Sequence, residues 1–251
     1  MSAKSTIEWT DATWNPVTGC TKVSPGCDHC YAETFAERFR GVKGHHFEKG
    51  FDLTLRPERL EEPLRWRKPR RVFVNSMSDL FHKDVPDEFI ATVFNRMAEA
   101  GQHTFQVLTK RPERMRRFVA RYYDGREPWD NVWLGVSIES QELDWRADML
   151  QETPAAVRFL SLEPLIGYVG AWVLDGMDWV IVGGESGRGH RPMSLEWARA
   201  IRDNCAKRGI AFFFKQVGAF RPSDDMIPDD LRIREYPTST TSNCASERGA
   251  R

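Results

Sequence analysis

The chain has 251 residues, and its 36 Lys plus Arg balance 36 Asp plus Glu, so global charge does not mark it as a binder of polyanions. A hydrophobic content of 41% with a mean hydropathy of −0.53 excludes both a membrane-embedded chain and a wholly disordered one. No apolar run approaches the roughly 18 residues of a spanning helix, and the polar start has no signal-peptide core. A soluble cytoplasmic protein with no membrane partner is therefore expected.

The neutral total conceals an uneven distribution. Residues 56–126 carry 16 basic and 10 acidic side chains, whereas residues 127–185 carry 2 and 11. A polyanion site on one side of the molecule gives such a count, and so do solvated helix faces.

In chain order, Thr6–Trp9 reads as a weak first strand. The loop after it contains Cys20, Cys27 and Cys30 and runs directly into a helix over Tyr31–Arg40, with Phe35 and Phe39 one turn apart. Phe51–Leu55 is a second weak strand. Six clear β-rich runs follow: Arg71–Asn75, Thr104–Thr109, Val132–Ile138, Val157–Leu162, Asp178–Val182 and Ile210–Phe214. Near-continuous apolar strands of this length belong to a parallel sheet covered on both faces.

Helices fill the gaps between them. Pro86 fits the start of a helix whose stripe is Phe89, Ile90, Val93, Phe94 and Met97, with Gly101 closing it. Pro112 opens the next, with Met115, Phe118 and Val119 inward, and Leu143–Leu150 is a shorter acidic one. Ser194 is an N-cap candidate for a helix burying Ala198, Ile201 and Cys205, and Gly209 its C-cap. The fold class is α/β, a (β/α)8 or partial TIM-like barrel with the cysteine loop after the first strand; an open doubly wound sheet is the alternative. Residues 1–222 form one barrel domain, and residues 223–251 a surface segment with a disordered tail.

Chemistry collects just after the strands, at Asn75-Ser76-Met77-Ser78-Asp79, Thr109-Lys110-Arg111, Ser137-Ile138-Glu139, Glu163-Pro164, Gly183-Gly184-Glu185-Ser186 and Lys215-Gln216. In a barrel these ends gather on the carboxyl face, where catalytic groups sit.

Cys20, Cys27 and Cys30 have the spacing C-x6-C-x2-C, while Cys205 and Cys244 are isolated. Five cysteines in a cytoplasmic chain do not suggest a disulfide framework. Three thiolates are one short of a closed zinc site, which His29 or Asp28 could complete. They suit a [4Fe–4S] cluster with one open iron. Plain buried thiols are the third reading.

At these residues a resemblance becomes specific. The cysteine loop after a first strand is similar to that of radical S-adenosylmethionine (SAM) enzymes, although their usual first gap is three residues rather than six. The longer gap resembles the phage-associated three-Cys-motif family, as do NSMSDLFH, LTKRPERM, GVSIES, LSLEPL, GGESG and FFFKQ, over about residues 6–237. A narrower resemblance to the spore photoproduct lyase branch rests on Ser76, Lys110 and Ser137, which lie at similar intervals after Cys30. Its GGE-like stretch after the second strand is missing here; Gly183-Gly184-Glu185 comes several strands too late.

The resemblance implies a [4Fe–4S] cluster on Cys20, Cys27 and Cys30, and SAM seated by Asn75, Ser76, Lys110 and Ser137. Lys110, Glu139, Glu163, Glu185 and Lys215 are then the candidate catalytic side chains, and an electron donor such as flavodoxin or ferredoxin the partner. The substrate expected from the basic segment and from the lyase is a DNA, an RNA or a nucleotide, with a small metabolite or peptide as alternative. Two other functions fit parts of the sequence. A non-catalytic nucleic-acid module stapled by zinc or a cluster would use Arg65-Trp66-Arg67-Lys68-Pro69-Arg70-Arg71 and the basic helix from Arg111 to grip phosphates. A metal-free barrel hydrolase using Glu139, Glu163 and Glu185 leaves the three cysteines unexplained.

Overall fold

Alternation along the strands builds two cores on opposite faces of one sheet. The computed structural model describes residues 5–238. The strands are β1 (Ala12–Trp14), β2 (Val17–Thr18), β3 (Thr54–Leu55), β4 (Arg71–Val74), β5 (Thr104–Thr109), β6 (Val132–Ser137), β7 (Val157–Leu162), β8 (Trp179–Gly183) and β9 (Ala211–Gln216). Seven of them form a parallel sheet in the order β1-β4-β5-β6-β7-β8-β9, and β2 pairs with β3 as a separate antiparallel ribbon. Each parallel pair is joined through a crossover, which carries α2 (Asp87–Glu99), α3 (Pro112–Tyr123), α4 (Trp145–Gln151) and α5 (Leu195–Arg208) onto the outer face. A shorter helix, α1 (Tyr31–Glu37), follows the cysteine loop.

The outer face is aliphatic. Val72, Val74, Val107, Leu134, Val136, Leu160, Leu162, Val180 and Val182 meet the buried stripes of the helices, including Ile90, Val93, Phe94 and Met97 of α2. Cys205 belongs to this layer as the small buried hydrophobe expected of it. The inner face is aromatic: Phe73, Trp133, Phe159, Trp179 and Phe213 enclose Trp9. Gly135 lies among them because a Cβ there would come within 2.5 Å of the Phe159 ring.

This aromatic layer shows that the sheet is curled. Phe73 and Trp179 lie four strands apart, roughly 19 Å in a flat sheet, yet the Trp9 ring is 4.6 Å from one and 6.0 Å from the other. Among the described residues β1 and β9 do not pair, so the result is a half-barrel, a partial TIM-like fold with the cysteine loop after its first strand. Trp9 and Tyr236 fill the gap at its amino end, where the Tyr236 ring lies 5.4 Å from Trp179 and under Arg71. No helix among the described residues is long and apolar enough to cross a membrane.

Several elements differ from expectation. Thr6–Trp9 is a turn whose Trp9 enters the inner core, and the first strand is Ala12–Trp14. That strand is only three residues long and is followed by Asn15-Pro16, so no periodicity could reveal it. Phe51–Leu55 shrinks to the two residues of β3, outside the main sheet, which therefore has seven strands and not eight. Residues 223–238 return to the barrel, burying Ile227 and Leu231 and pairing Arg234 with Phe213. The tail expected beyond them, with Cys244, lies outside the described residues.

Candidate functional site

One residue pair above the aromatic layer, the inward positions change from hydrophobic to polar. Ser137 follows Trp133 by two inward steps, Ser161 follows Phe159 by one, and the two serines are register partners on β6 and β7. One step further come Glu163, just after β7, and Lys215 on β9, which form an ion pair. These side chains line a cavity of about 730 Å³ at the carboxyl end of the sheet, with Trp9 and Phe73 in its wall. Its size suits a small-molecule or cofactor site.

The cysteine loop forms another wall. Cys20, Cys27 and Cys30 are free, half-buried thiols, and all three line the cavity. Burial pushes the Cys20 and Cys30 thiols up, so a bound metal would have to displace their protons. Among the described residues no three His, Cys, Asp or Glu side chains converge on a point that would hold a single metal ion. The two residues that could complete a zinc site are engaged elsewhere: His29 Nδ1 is 3.0 Å from Glu185 Oε2, and Asp28 faces Arg191.

The loop is fastened on both sides. Ser24 Oγ donates to Glu139 Oε1 at 3.0 Å, and Gly26 passes so close that a Cβ would sit 2.5 Å from that carboxylate. Arg191 donates from Nη2 to the Pro25 carbonyl at 3.0 Å and from Nε to Glu185 Oε2 at 2.9 Å. Burial tends to raise the Glu185 carboxyl, but the hydrogen bonds from Arg191 and His29 outweigh it and bring it down to about 2. Arg111 holds the start of the loop, donating from Nη2 to the Thr21 carbonyl at 2.9 Å.

The structure thus gathers the three cysteines, Asn75, Ser76, Lys110 and Ser137 round one cavity, with Glu163, Glu185 and Lys215 on its remaining wall. Glu139 does not share that wall. It is fully buried beneath the cysteine loop, paired with Lys110 and, at 3.2 Å, with Arg146, which is itself 2% exposed. Asp79 is likewise a buried clasp, accepting from Thr109 Oγ1 at 2.7 Å and Arg111 Nη1 at 2.9 Å. Asn75 takes a left-handed backbone with φ of 61° at the β4 end. Its Oδ1 accepts from the Val17 amide at 3.3 Å, while its buried Nδ2 has no protein partner. Tyr31 reaches across the mouth to donate to the Ser76 carbonyl at 2.6 Å.

Arg146 and Arg191 were not singled out in the sequence: their carboxylate partners lie only seven and six residues away, but neither arginine stands at a strand end. His29 stands in the sequence only as a possible zinc ligand, and its partner Glu185 is 156 residues distant. Arg111 stands beside Lys110 at a strand end, without a role of its own. The basic segment is dispersed. Arg65–Arg71 lead into β4 and so lie at the amino end of the sheet, away from the cavity. Arg114 and Arg121 pair with Asp87, and Arg116 with Glu152.

A family model described as "Protein of unknown function (DUF5131)" matches residues 4–248. No curated protein matches the chain. Among solved structures, a cysteine-to-serine mutant of spore photoproduct lyase is similar over 86% of this chain and 78% of its own, at 12% identity and a TM-score of 0.56. A tyrosine-to-phenylalanine mutant of that enzyme aligns over 86% and 79%, at 11% identity and a TM-score of 0.53. Another of its mutants, with bound AdoMet and dinucleoside spore photoproduct, aligns over 82% of this chain and 64% of its own, at 13% identity and a TM-score of 0.51. At these identities the likeness is one of fold.

Proposed function

We propose, for a chain that belongs to the DUF5131 family, a radical SAM enzyme that holds a [4Fe–4S] cluster and SAM in the carboxyl-end cavity. The observation that carries this reading is the meeting of three free thiols from one loop with Ser76, Lys110 and Ser137 in one cavity, on a half-barrel similar to that of spore photoproduct lyase.

The donor set fits the two groups. Cluster thiolates bind separate irons, so Cys20, Cys27 and Cys30 need not converge on one ion as zinc ligands must. The unpartnered Nδ2 of Asn75 offers a buried donor that an acceptor on SAM would satisfy. Lys110 Nζ has three protons, of which Glu139 takes one, leaving donors for a carboxylate. When bound, the reduced cluster supplies the electron that cleaves SAM into methionine and a 5′-deoxyadenosyl radical.

The protein's part is placement and exclusion. Trp9 and Phe73 keep water from the inner end of the cavity, and Tyr31 spans its mouth. Glu163 and Lys215 face the substrate side, where Lys215 can hold or pass a proton to its partner. Among the described residues, Lys22, Lys110, Arg111 and Lys215, the basic residues of the cavity wall, are each paired with a carboxylate. A nucleotide-containing substrate would accordingly enter by its base, leaving phosphates at the rim. An electron donor of the flavodoxin or ferredoxin type completes the reading.

The test is anaerobic reconstitution followed by metal analysis and turnover with dithionite. About four irons per chain and SAM-dependent 5′-deoxyadenosine are expected, both lost on Cys27→Ala. A colourless protein holding one zinc would overturn the proposal.

A further inference from the structure

Among the described residues, Cys20 is the one thiol of the three with a cationic hydrogen-bond donor at its sulfur. Arg111, the residue after Lys110 at the end of β5, places Nη1 3.4 Å from Cys20 Sγ. The same nitrogen donates to Asp79 Oδ2 at 2.9 Å, and Nη2 donates to the Thr21 carbonyl at 2.9 Å and its hydroxyl at 3.1 Å. The clamp is itself fixed, because Asp79 also accepts from Thr109 Oγ1 at 2.7 Å, the Lys110 amide at 3.1 Å and the Phe81 amide at 2.9 Å. Arg111 is 13% exposed, so water screens its charge little. Cys27 Sγ, by contrast, has the neutral Ser24 hydroxyl at 3.9 Å and feels the Arg146 guanidinium without a hydrogen bond from it.

A hydrogen bond and a positive charge at a ligating sulfur both stabilise the more electron-rich state of an iron–sulfur cluster and raise its potential. We propose that Arg111 is a positioning residue that raises the reduction potential of the cluster by donating to the Cys20 sulfur, with Asp79 limiting the effect. This rests on the radical SAM reading. Were a cluster bound, the Cys20 thiolate would be the ligand that Arg111 hydrogen-bonds. Asp79 has an opposite role, since its carboxylate offsets part of the guanidinium charge while holding it in place. Replacing the two residues should therefore move the potential in opposite directions.

The experiment is a potentiometric titration of the anaerobically reconstituted protein, followed by the electron paramagnetic resonance signal of the reduced cluster, with no substrate present. Arg111→Gln should shift the midpoint to more negative potential, Arg111→Lys should shift it less, and Asp79→Asn should shift it to more positive potential. A purely structural role would reduce the amount of cluster without moving the midpoint of what forms. Should Arg111→Gln load poorly, the Lys and Asp79→Asn variants still decide the sign. Unchanged midpoints across the loaded variants, or shifts of the same sign for Arg111→Gln and Asp79→Asn, overturn the inference and leave the radical SAM reading standing. A wild-type protein that takes up no iron overturns both.

Discussion

Replacing Glu139 by Gln tests whether this carboxylate supports the cysteine loop or takes part in substrate chemistry. The side chain is fully buried and pairs with Lys110 and Arg146. Lys110, at 20% exposure, can turn to water once its partner is neutral, but Arg146 at 2% cannot. Its Nη1 keeps only the Ser137 carbonyl at 2.8 Å, and its Nε already has no partner. Removing one member of such a buried pair costs about 3–5 kcal/mol, and the amide's remaining acceptor places Gln at the lower end. For a domain of this size, about 3 kcal/mol corresponds to a melting temperature roughly 6–12 °C lower, read by calorimetry on the metal-free protein. The double variant Glu139→Gln, Arg146→Met should be less destabilised than the sum of the single changes, because it removes the stranded charge. An unchanged melting temperature for Glu139→Gln, or strict additivity in the double variant, would refute the supporting role.

Other consequences are equally direct. Glu185 titrates near 2 when folded against a usual 4.5, so its stabilisation is present above pH 4.5 and is lost as pH falls toward 2. That contribution is about 3 kcal/mol, and Glu185→Gln should flatten the acid limb of a stability–pH curve by that amount. Gly135→Ala forces a methyl toward the Phe159 ring, which Trp9 and Trp179 hold from two sides, and should cost about 1–3 kcal/mol in urea unfolding. Burial pushes the Cys205 thiol up to about 12. Iodoacetamide should therefore label Cys20, Cys27 and Cys30 in the native metal-free protein while sparing Cys205, as peptide mass mapping would show.

The strand runs from Arg71 to Phe214 and the helices between them were legible because each carries an apolar pattern longer than one turn or three strand residues. The polar strand ends were legible for the same reason, since parallel strands deliver them all to one rim. What escaped the sequence lacked a local pattern. Ala12–Trp14 is too short to show alternation, and the turn at Thr6–Trp9 resembles a strand because Trp9 is buried for a tertiary reason. Glu139 sits at a strand end like Glu163, and only the approach of Gly26 and Arg146 turns it under the loop. The charge excess of residues 56–126 marked no rim. Apart from Lys110 and Arg111 in the cavity wall, its basic side chains include Arg65–Arg71 at the amino end of the sheet and Arg114, Arg116 and Arg121 in pairs on the outer helix.

The two aromatic side chains that close the amino end of the half-barrel come from distant parts of the chain. Tyr236 reaches the Glu8 carbonyl across a sequence separation of 228 residues, and Trp9 meets rings from β4 to β8. A ribosome makes Tyr236 more than two hundred residues after Trp9. Until then the indole has an unfinished socket, and the aromatic lining from Phe73 to Phe213 faces water on one side. Contacts this far apart close late and slowly, so the nascent protein must pass through a stage with a sticky, half-lined trough. Folding yield in cells should depend on how quickly the last strand and the segment ending in Tyr236 follow the earlier ones.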